Sequence, residues 1–139
     1  MKRLASYLRF KQLFAHNCHN LTQGKTFFED HAFFGSLYEQ AQSDYDSIIE
    51  RMLGLEPDKE CDLVGITEQS TEYLCKAKVD FKNPELCLRM LIKITEEIIK
   101  KIEVMTRQED MSQGVIQLLG DIANREEASL YKIHQRLKP

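Results

Sequence analysis

At 139 residues, with 42% hydrophobic and 29% charged side chains, the chain has the size and composition of a single globular domain, residues 1–139. Its net charge of −3 gives no electrostatic case for nucleic acid as a partner. It contains no run of about eighteen apolar residues that would span a membrane, and Met1-Lys-Arg-Leu-Ala-Ser-Tyr7 lacks the apolar segment of a secretory signal, so a cytoplasmic protein is expected.

Prolines are absent from residues 1–56 and 85–138, which leaves two long stretches free of the strongest helix breaker. A first helix is predicted over about residues 3–22, with Leu4, Tyr7, Leu8, Lys11, Phe14, Cys18 and Leu21 on one stripe. Thr22-Gln-Gly24-Lys is the turn, with Gly24 as a left-handed cap. Thr26 is the expected N-cap of a second helix, with Glu29 as its capping-box partner. That helix carries Phe27, Phe34, Tyr38, Ala41, Tyr45, Ile48, Ile49 and Met52, and ends near Gly54-Leu-Glu-Pro57. Residues 55–82 hold no long periodic pattern, and a short helix over Thr67–Lys76, capped by Thr67, is predicted there. Asn83-Pro84-Glu85 starts the third long helix, with Leu88, Leu91, Ile94, Ile98, Ile102 and Met105 inward. Asp110 or Ser112 starts the fourth, which presents Val115, Leu118, Leu119, Ile122, Leu130, Ile133 and Leu137. Four long amphipathic helices with one long crossover between the second and third describe an all-α, ferritin-like four-helix bundle, the short helix lying in the crossover.

The chemistry sits on the first two helices. His19 and His31 flank the Gly24 turn, and Asp46 and Glu50 follow at helical i,i+4 spacing. Imidazole and carboxylate donors without thiolates suit iron, zinc or manganese. His31 and Asp46 lie fifteen residues apart on one predicted helix, roughly 22 Å at about 1.5 Å per residue. One copy of that helix cannot close both ends on one ion, so a second chain has to bring Asp46 and Glu50 to His19 and His31. No Glu-x-x-His motif exists: the residues three before His16, His19, His31 and His134 are Leu13, His16, Phe28 and Tyr131. The plainer readings are helix-end histidines and a solvated acidic face. His16 is read as structural, Glu96 and Glu97 as solvated, and His134 as a cation at a helix C-terminus. The four cysteines, Cys18, Cys61, Cys75 and Cys87, have no C-x-x-C spacing and read as reduced, buried small hydrophobes; Cys18 stands out because it adjoins His19.

The stretch from His16-Asn-Cys-His19 through Gly24-Lys-Thr-Phe27 to His31, continued by Asp46-Ser-Ile-Ile-Glu50-Arg51, resembles the mini-ferritin, or Dps, family. A weaker match is Leu118-Leu119-x-x-Ile122, where the family's last helix begins. The resemblance implies a ferroxidase that binds Fe(II) at two-fold interfaces, with His19 and His31 from one chain and Asp46 and Glu50 from its partner as ligands and catalytic residues. It further implies a hollow dodecamer that stores or detoxifies iron, and hydrogen peroxide as oxidant with protection against peroxide stress. Zn(II), which also favours imidazole and carboxylate, is expected to compete at the same residues. Three departures stand out. Asn20 replaces the family's tryptophan. Gly35 replaces a carboxylate, which implies weakened oxidation. Gln113 and Gln117 replace pore acids and leave Asp121 as the pore candidate. Gly35 and the altered pore favour an alternative, a ferritin-like structural or binding protein with a degenerate metal centre. The basic residues Lys2, Arg3, Arg136 and Lys138 make no lysine-rich tail of the kind that binds DNA in some relatives, so DNA binding is not expected.

Overall fold

The computed structural model describes residues 1–57, 60–108 and 110–139. These fold into five helices: α1 (Lys2–Leu21), α2 (Phe27–Leu55), α3 (Leu63–Ala77), α4 (Pro84–Gln108) and α5 (Gln113–Leu137), and the described residues contain no strand. No helix is long and apolar enough to cross a membrane among the described residues.

The helix ends follow from local chemistry. Asn83 Oδ1 accepts from the Glu85 and Leu86 N–H groups at 3.0 and 3.3 Å, and Pro84, which has no N–H to leave unpaired, occupies the first position of α4. Ser112, not Asp110, caps α5, its Oγ accepting from Val115 N at 3.3 Å. Gly24 has φ +112°, a value L side chains rarely adopt, so the reversal between α1 and α2 needs glycine there.

Two expected features differ. The crossover helix is longer than Thr67–Lys76: it begins four residues earlier, where Asp62 Oδ1 accepts from Gly65 N at 2.8 Å. Thr67 lies inside it and back-bonds to Leu63 O at 3.0 Å. Helix α3 buries only Ile66 and Ser70 fully, too little to imprint an apolar period on its sequence. The Thr26–Glu29 capping box does not form. The Thr26 hydroxyl donates instead to Asp30 Oδ2 at 2.6 Å and accepts from Arg136 Nη2 at 2.9 Å.

Pairings between helices give their directions. Arg9 stacks over Tyr45 at 3.8 Å and His19 meets His31, so α1 and α2 are antiparallel. Phe14 packs on Phe81 at 5.1 Å while Lys101 lies 4.7 Å over Tyr7, so α4 also runs against α1. Helix α5 runs against α2, joined by Asp44–Arg125 at 2.6 Å and Asp30–Arg136 at 3.0 Å. Helices α2 and α4 therefore point the same way, and the chain must travel back between them. It does so through α3, which follows α1, with Ser70 Oγ donating to Ser6 O at 3.0 Å and Tyr73 against Tyr7 at 4.7 Å. The core between the long helices holds Leu4, Leu8, Phe14, Phe34, Ile48, Leu91, Ile98, Leu119 and Ile133, each under 2% exposed.

Lys11, on the inward stripe of α1, is buried because Glu126 of α5 meets it at 2.5 Å, with both side chains 3% exposed. Removing one member strands the other charge in the core, whereas an apolar pair of similar volume strands neither. Lys11→Met alone is therefore expected to cost about 3–5 kcal/mol. Lys11→Met combined with Glu126→Leu should fall within about 1–2 kcal/mol of wild type or exceed it. Urea denaturation checks both, and equal losses in the single and double variants would contradict the account.

Candidate metal centre

His19 lies in the last turn of α1, where backbone carbonyls have lost their intrahelical donors. Gln23 N, which would ordinarily continue the ladder to His19 O, donates to Lys82 O at 3.2 Å instead. The vacant carbonyl of His19 is taken by His31, whose Nδ1 donates to it at 2.7 Å. The arrangement is reciprocal, since His19 Nδ1 donates to His31 O at 2.8 Å. The two rings stack with centroids 3.7 Å apart and planes 19° apart. A carbonyl can only accept, so the proton of each neutral imidazole resides on Nδ1 and each Nε2 keeps a free lone pair. A hydrogen bond from one ring nitrogen to a carbonyl is the usual way a metal-binding histidine is oriented and its tautomer fixed.

Neighbours hold this pair in place. Phe27 also stacks on His31, at 5.0 Å and 20°. Tyr38 meets His19 edge-on at 5.3 Å and lies 4.3 Å from His16, which is exposed and serves as a cover for that tyrosine. Asp30, the residue before His31, is buried and receives Arg136 Nε and Nη2, each at 3.0 Å. These bonds raise the Arg136 guanidinium above its ordinary range and tie the first turn of α2 to the last turn of α5. Gly35 lies one turn beyond His31, and a Cβ there would stand 3.1 Å from His19 Nδ1 and 3.2 Å from its Cε1. The glycine is thus what lets the His19 ring approach α2 closely enough to reach the His31 carbonyl.

Asp46 and Glu50 stand apart from the histidines. Helix α2 is continuous from Phe27 to Leu55, which leaves His31 and Asp46 roughly 22 Å apart along its axis. Both carboxylates are exposed and make no hydrogen bond or ion pair among the described residues. Among those residues no three His, Cys, Asp or Glu side chains of one chain gather around a common point. Asp121 is exposed and accepts from Gln117 Nε2 at 2.9 Å. Glu96 is exposed, while Glu97 pairs with Lys101 at 3.1 Å, so neither joins a site. Cys18 and Cys87 are buried, and Cys87 Sγ donates to Phe81 O at 3.5 Å. Burial pushes the Cys18 thiol far above its ordinary range.

The structure thus brings together His19 and His31 and leaves Asp46, Glu50 and Asp121 at other places on the chain. Asp30, Arg136 and the close approach allowed by Gly35 went unread in the sequence. The one signal for them was a glycine a turn after a histidine, in a helix that otherwise has no use for it. Comparison with protein-family models, with curated proteins and with solved structures finds no match to this chain.

The histidine pair is directly observable. Two imidazole Nδ1–H protons, one from His19 and one from His31, are expected to exchange slowly enough to be seen by nitrogen–proton NMR. In Gly35→Ala the gain of about 1 kcal/mol in helix propensity opposes overpacking of about 1–3 kcal/mol. The fold should survive, while the His19 signal shifts or vanishes. Retention of both signals in that variant would mean the ring does not depend on Gly35. The same contact implies that Gly35→Asp, which introduces a carboxylate, also displaces His19 and weakens metal binding.

Proposed function

We propose that this chain is a mini-ferritin that takes Fe(II) as substrate at a site shared between two copies, oxidises it, and stores or detoxifies the ferric product. What supports the reading is the His19–His31 pair: two imidazoles on facing helices, each donating Nδ1–H to the other's carbonyl and each left with a free Nε2. Both rings are partly exposed, and a hydrogen bond from Nδ1 to a carbonyl is the usual way a metal-binding histidine is oriented.

The helix directions fit a ferritin-like four-helix bundle, with α1, α2, α4 and α5 as the long helices and α3 in the crossover. In the proposed site His19 and His31 of one copy hold Fe(II) through Nε2, and Asp46 and Glu50 of a second copy supply oxygen donors and charge balance. Four donors leave the ion's coordination open for an oxidant, and hydrogen peroxide is the proposed one. Each Fe(II) gives up one electron. A peroxide that accepts two electrons and two protons breaks its O–O bond to give two waters. The chain's part is to fix the imidazole tautomers and to hold acids near a cation that gains charge. The proposed assembly is a cytoplasmic dodecamer of two-fold dimers, without DNA binding.

A second reading has an observation of its own. Gly35 supplies no oxygen donor, and the space beside it is filled by the His19 ring. A ferritin-like binding or structural protein with a degenerate centre would keep the assembly and lose the oxidation.

The test combines light scattering with Fe(II) oxidation followed by absorbance under added peroxide. The mini-ferritin reading expects a closed oligomer at micromolar concentration and oxidation that His31→Ala reduces by at least about tenfold, the lower end for loss of a supporting or direct metal contact. An oligomer without oxidation selects the degenerate centre, and a stable monomer overturns both. Zn(II) gives a further check, since it also favours imidazole and carboxylate ligands. Calorimetry should show Zn(II) binding that weakens in His31→Ala, and unchanged binding would remove the histidines from the site.

A further inference from the structure

The first turn of α1 carries two cations, Lys2 and Arg3, and no acid. A helix N-terminus is the positive end of the helix dipole, so cations are the disfavoured charge there. The fold brings up a third. Helix α3 lies on α1 through Tyr73 against Tyr7 and Ser70 against Ser6, and Lys101 of α4 reaches over the Tyr7 ring at 4.7 Å. Between the three helices is an open cavity of about 450 Å³. Lys2, Arg3 and Lys101 line it together with Tyr7, Gln69 and Tyr73, and no carboxylate among the described residues does. A neighbouring cavity of about 390 Å³ shares the three cations and adds Lys100. Two acids pair with this cluster. Glu97 meets Lys101 at 3.1 Å, and Asp62 stands 3.8 Å from Lys2 with both side chains more than half exposed. Arg3 is exposed and makes no hydrogen bond or ion pair among the described residues. Four cations thus stand against two acids in a chain whose net charge is −3.

We propose that this cavity binds a diphosphate group, with Arg3 as its main contact and Lys2 and Lys101 flanking it. A guanidinium matches phosphate oxygens two at a time, and the ammonium groups add charge without demanding a fixed geometry. One phosphate monoester carries about −1.5 to −2 at neutral pH. Two linked phosphates come close to what three cations balance. The volume lies within the range of small-molecule sites, about 300–1,000 Å³, and exceeds what a single phosphate fills. The site is concave and confined, and the chain around it is net acidic, which suits a small anion better than a strand of nucleic acid. The group can come free, as pyrophosphate, or as part of a nucleoside diphosphate. Arg3 and His19 are roughly 24 Å apart along α1, so the inference holds or fails separately from the proposed function.

The experiment titrates the full chain, free of metal, with sodium pyrophosphate in a calorimeter at low salt. The expected result is one pyrophosphate per chain. Binding should weaken at least about tenfold in Arg3→Ala, the loss of a charge-assisted hydrogen bond, and stay unchanged in Lys132→Ala, an exposed cation on α5. It should also weaken as salt rises, because the cations are solvent-accessible. ADP titrated in parallel separates the sources: binding tighter than pyrophosphate assigns the group to a nucleotide, and weaker binding assigns it to the inorganic ion. Amide shifts measured by NMR on the wild-type chain give a readout that needs no variant, and they should centre on residues 2–7, 65–73 and 101. No binding at millimolar pyrophosphate, equal affinity for sulfate, full affinity in Arg3→Ala, or shifts centred elsewhere would each overturn the proposal. Tighter retention of a single-stranded oligonucleotide than of either diphosphate would overturn it as well, in favour of a nucleic-acid surface.

Discussion

A carboxylate taken out of water must find a cation, and three of them set the position of α5. Asp30 and Asp44 on α2 and Glu126 on α5 are each buried, and each meets a cation on another helix: Arg136, Arg125 and Lys11. The apolar stripes of α4 and α5 would tolerate some sliding, because one leucine resembles another. The ion pairs would not, since a register error leaves charges unpaired in the core. With Asp30 opposite Arg136 and Asp44 opposite Arg125, the antiparallel register of α2 and α5 is fixed at two points, and the Lys11–Glu126 pair adds α1. Asp30 adjoins His31, so the constraint that seats α5 also steadies the end of α2 where the histidine pair forms.

How far the sequence reveals this depends on the range of each interaction. The four long helices, the Asn83 and Ser112 caps and the glycine turn rest on neighbours a few residues away, and these are readable in the chain. The inward stripe of α1 is readable too, including Lys11, although its partner Glu126 is 115 residues distant and leaves no local mark. Thr26 shows the opposite outcome. Thr-x-x-Glu is a sound local signal, yet Arg136, 110 residues away, draws the hydroxyl into a tertiary network that a capping rule has no means to foresee. The extent of α3 was obscured for a different reason: a helix that lies on the outside of the molecule and buries little has no strong period to read.

The candidate site divides in the same way. Its residue types and spacing are features of the sequence. The reciprocal hydrogen bonds of His19 and His31 arise from two helices approaching across a turn, with a glycine permitting the contact. Gly35, read in sequence as a missing carboxylate, is in the fold a place where a side chain would collide with an imidazole. One residue therefore carries two consequences: it removes a donor, and it leaves room for the His19 ring to reach the His31 carbonyl.

Helix α2 also acts as a ruler. Its unbroken course from Phe27 to Leu55 holds His31 at one end and Asp46 and Glu50 near the other, at a spacing that bending changes little. In the proposed pairing of two copies about a two-fold axis, each histidine end must meet the opposite acidic end. That requirement places the axis near the middle of α2, around residues 38–41, where Glu39 and Gln40 are exposed. Symmetry then duplicates whatever forms: a pair of copies holds two equivalent centres roughly 22 Å apart, or none. In that proposed pairing, occupation of one centre would align the two rulers and so prepare the other, and the dimer, not the single chain, would be the smallest unit with a complete binding stoichiometry.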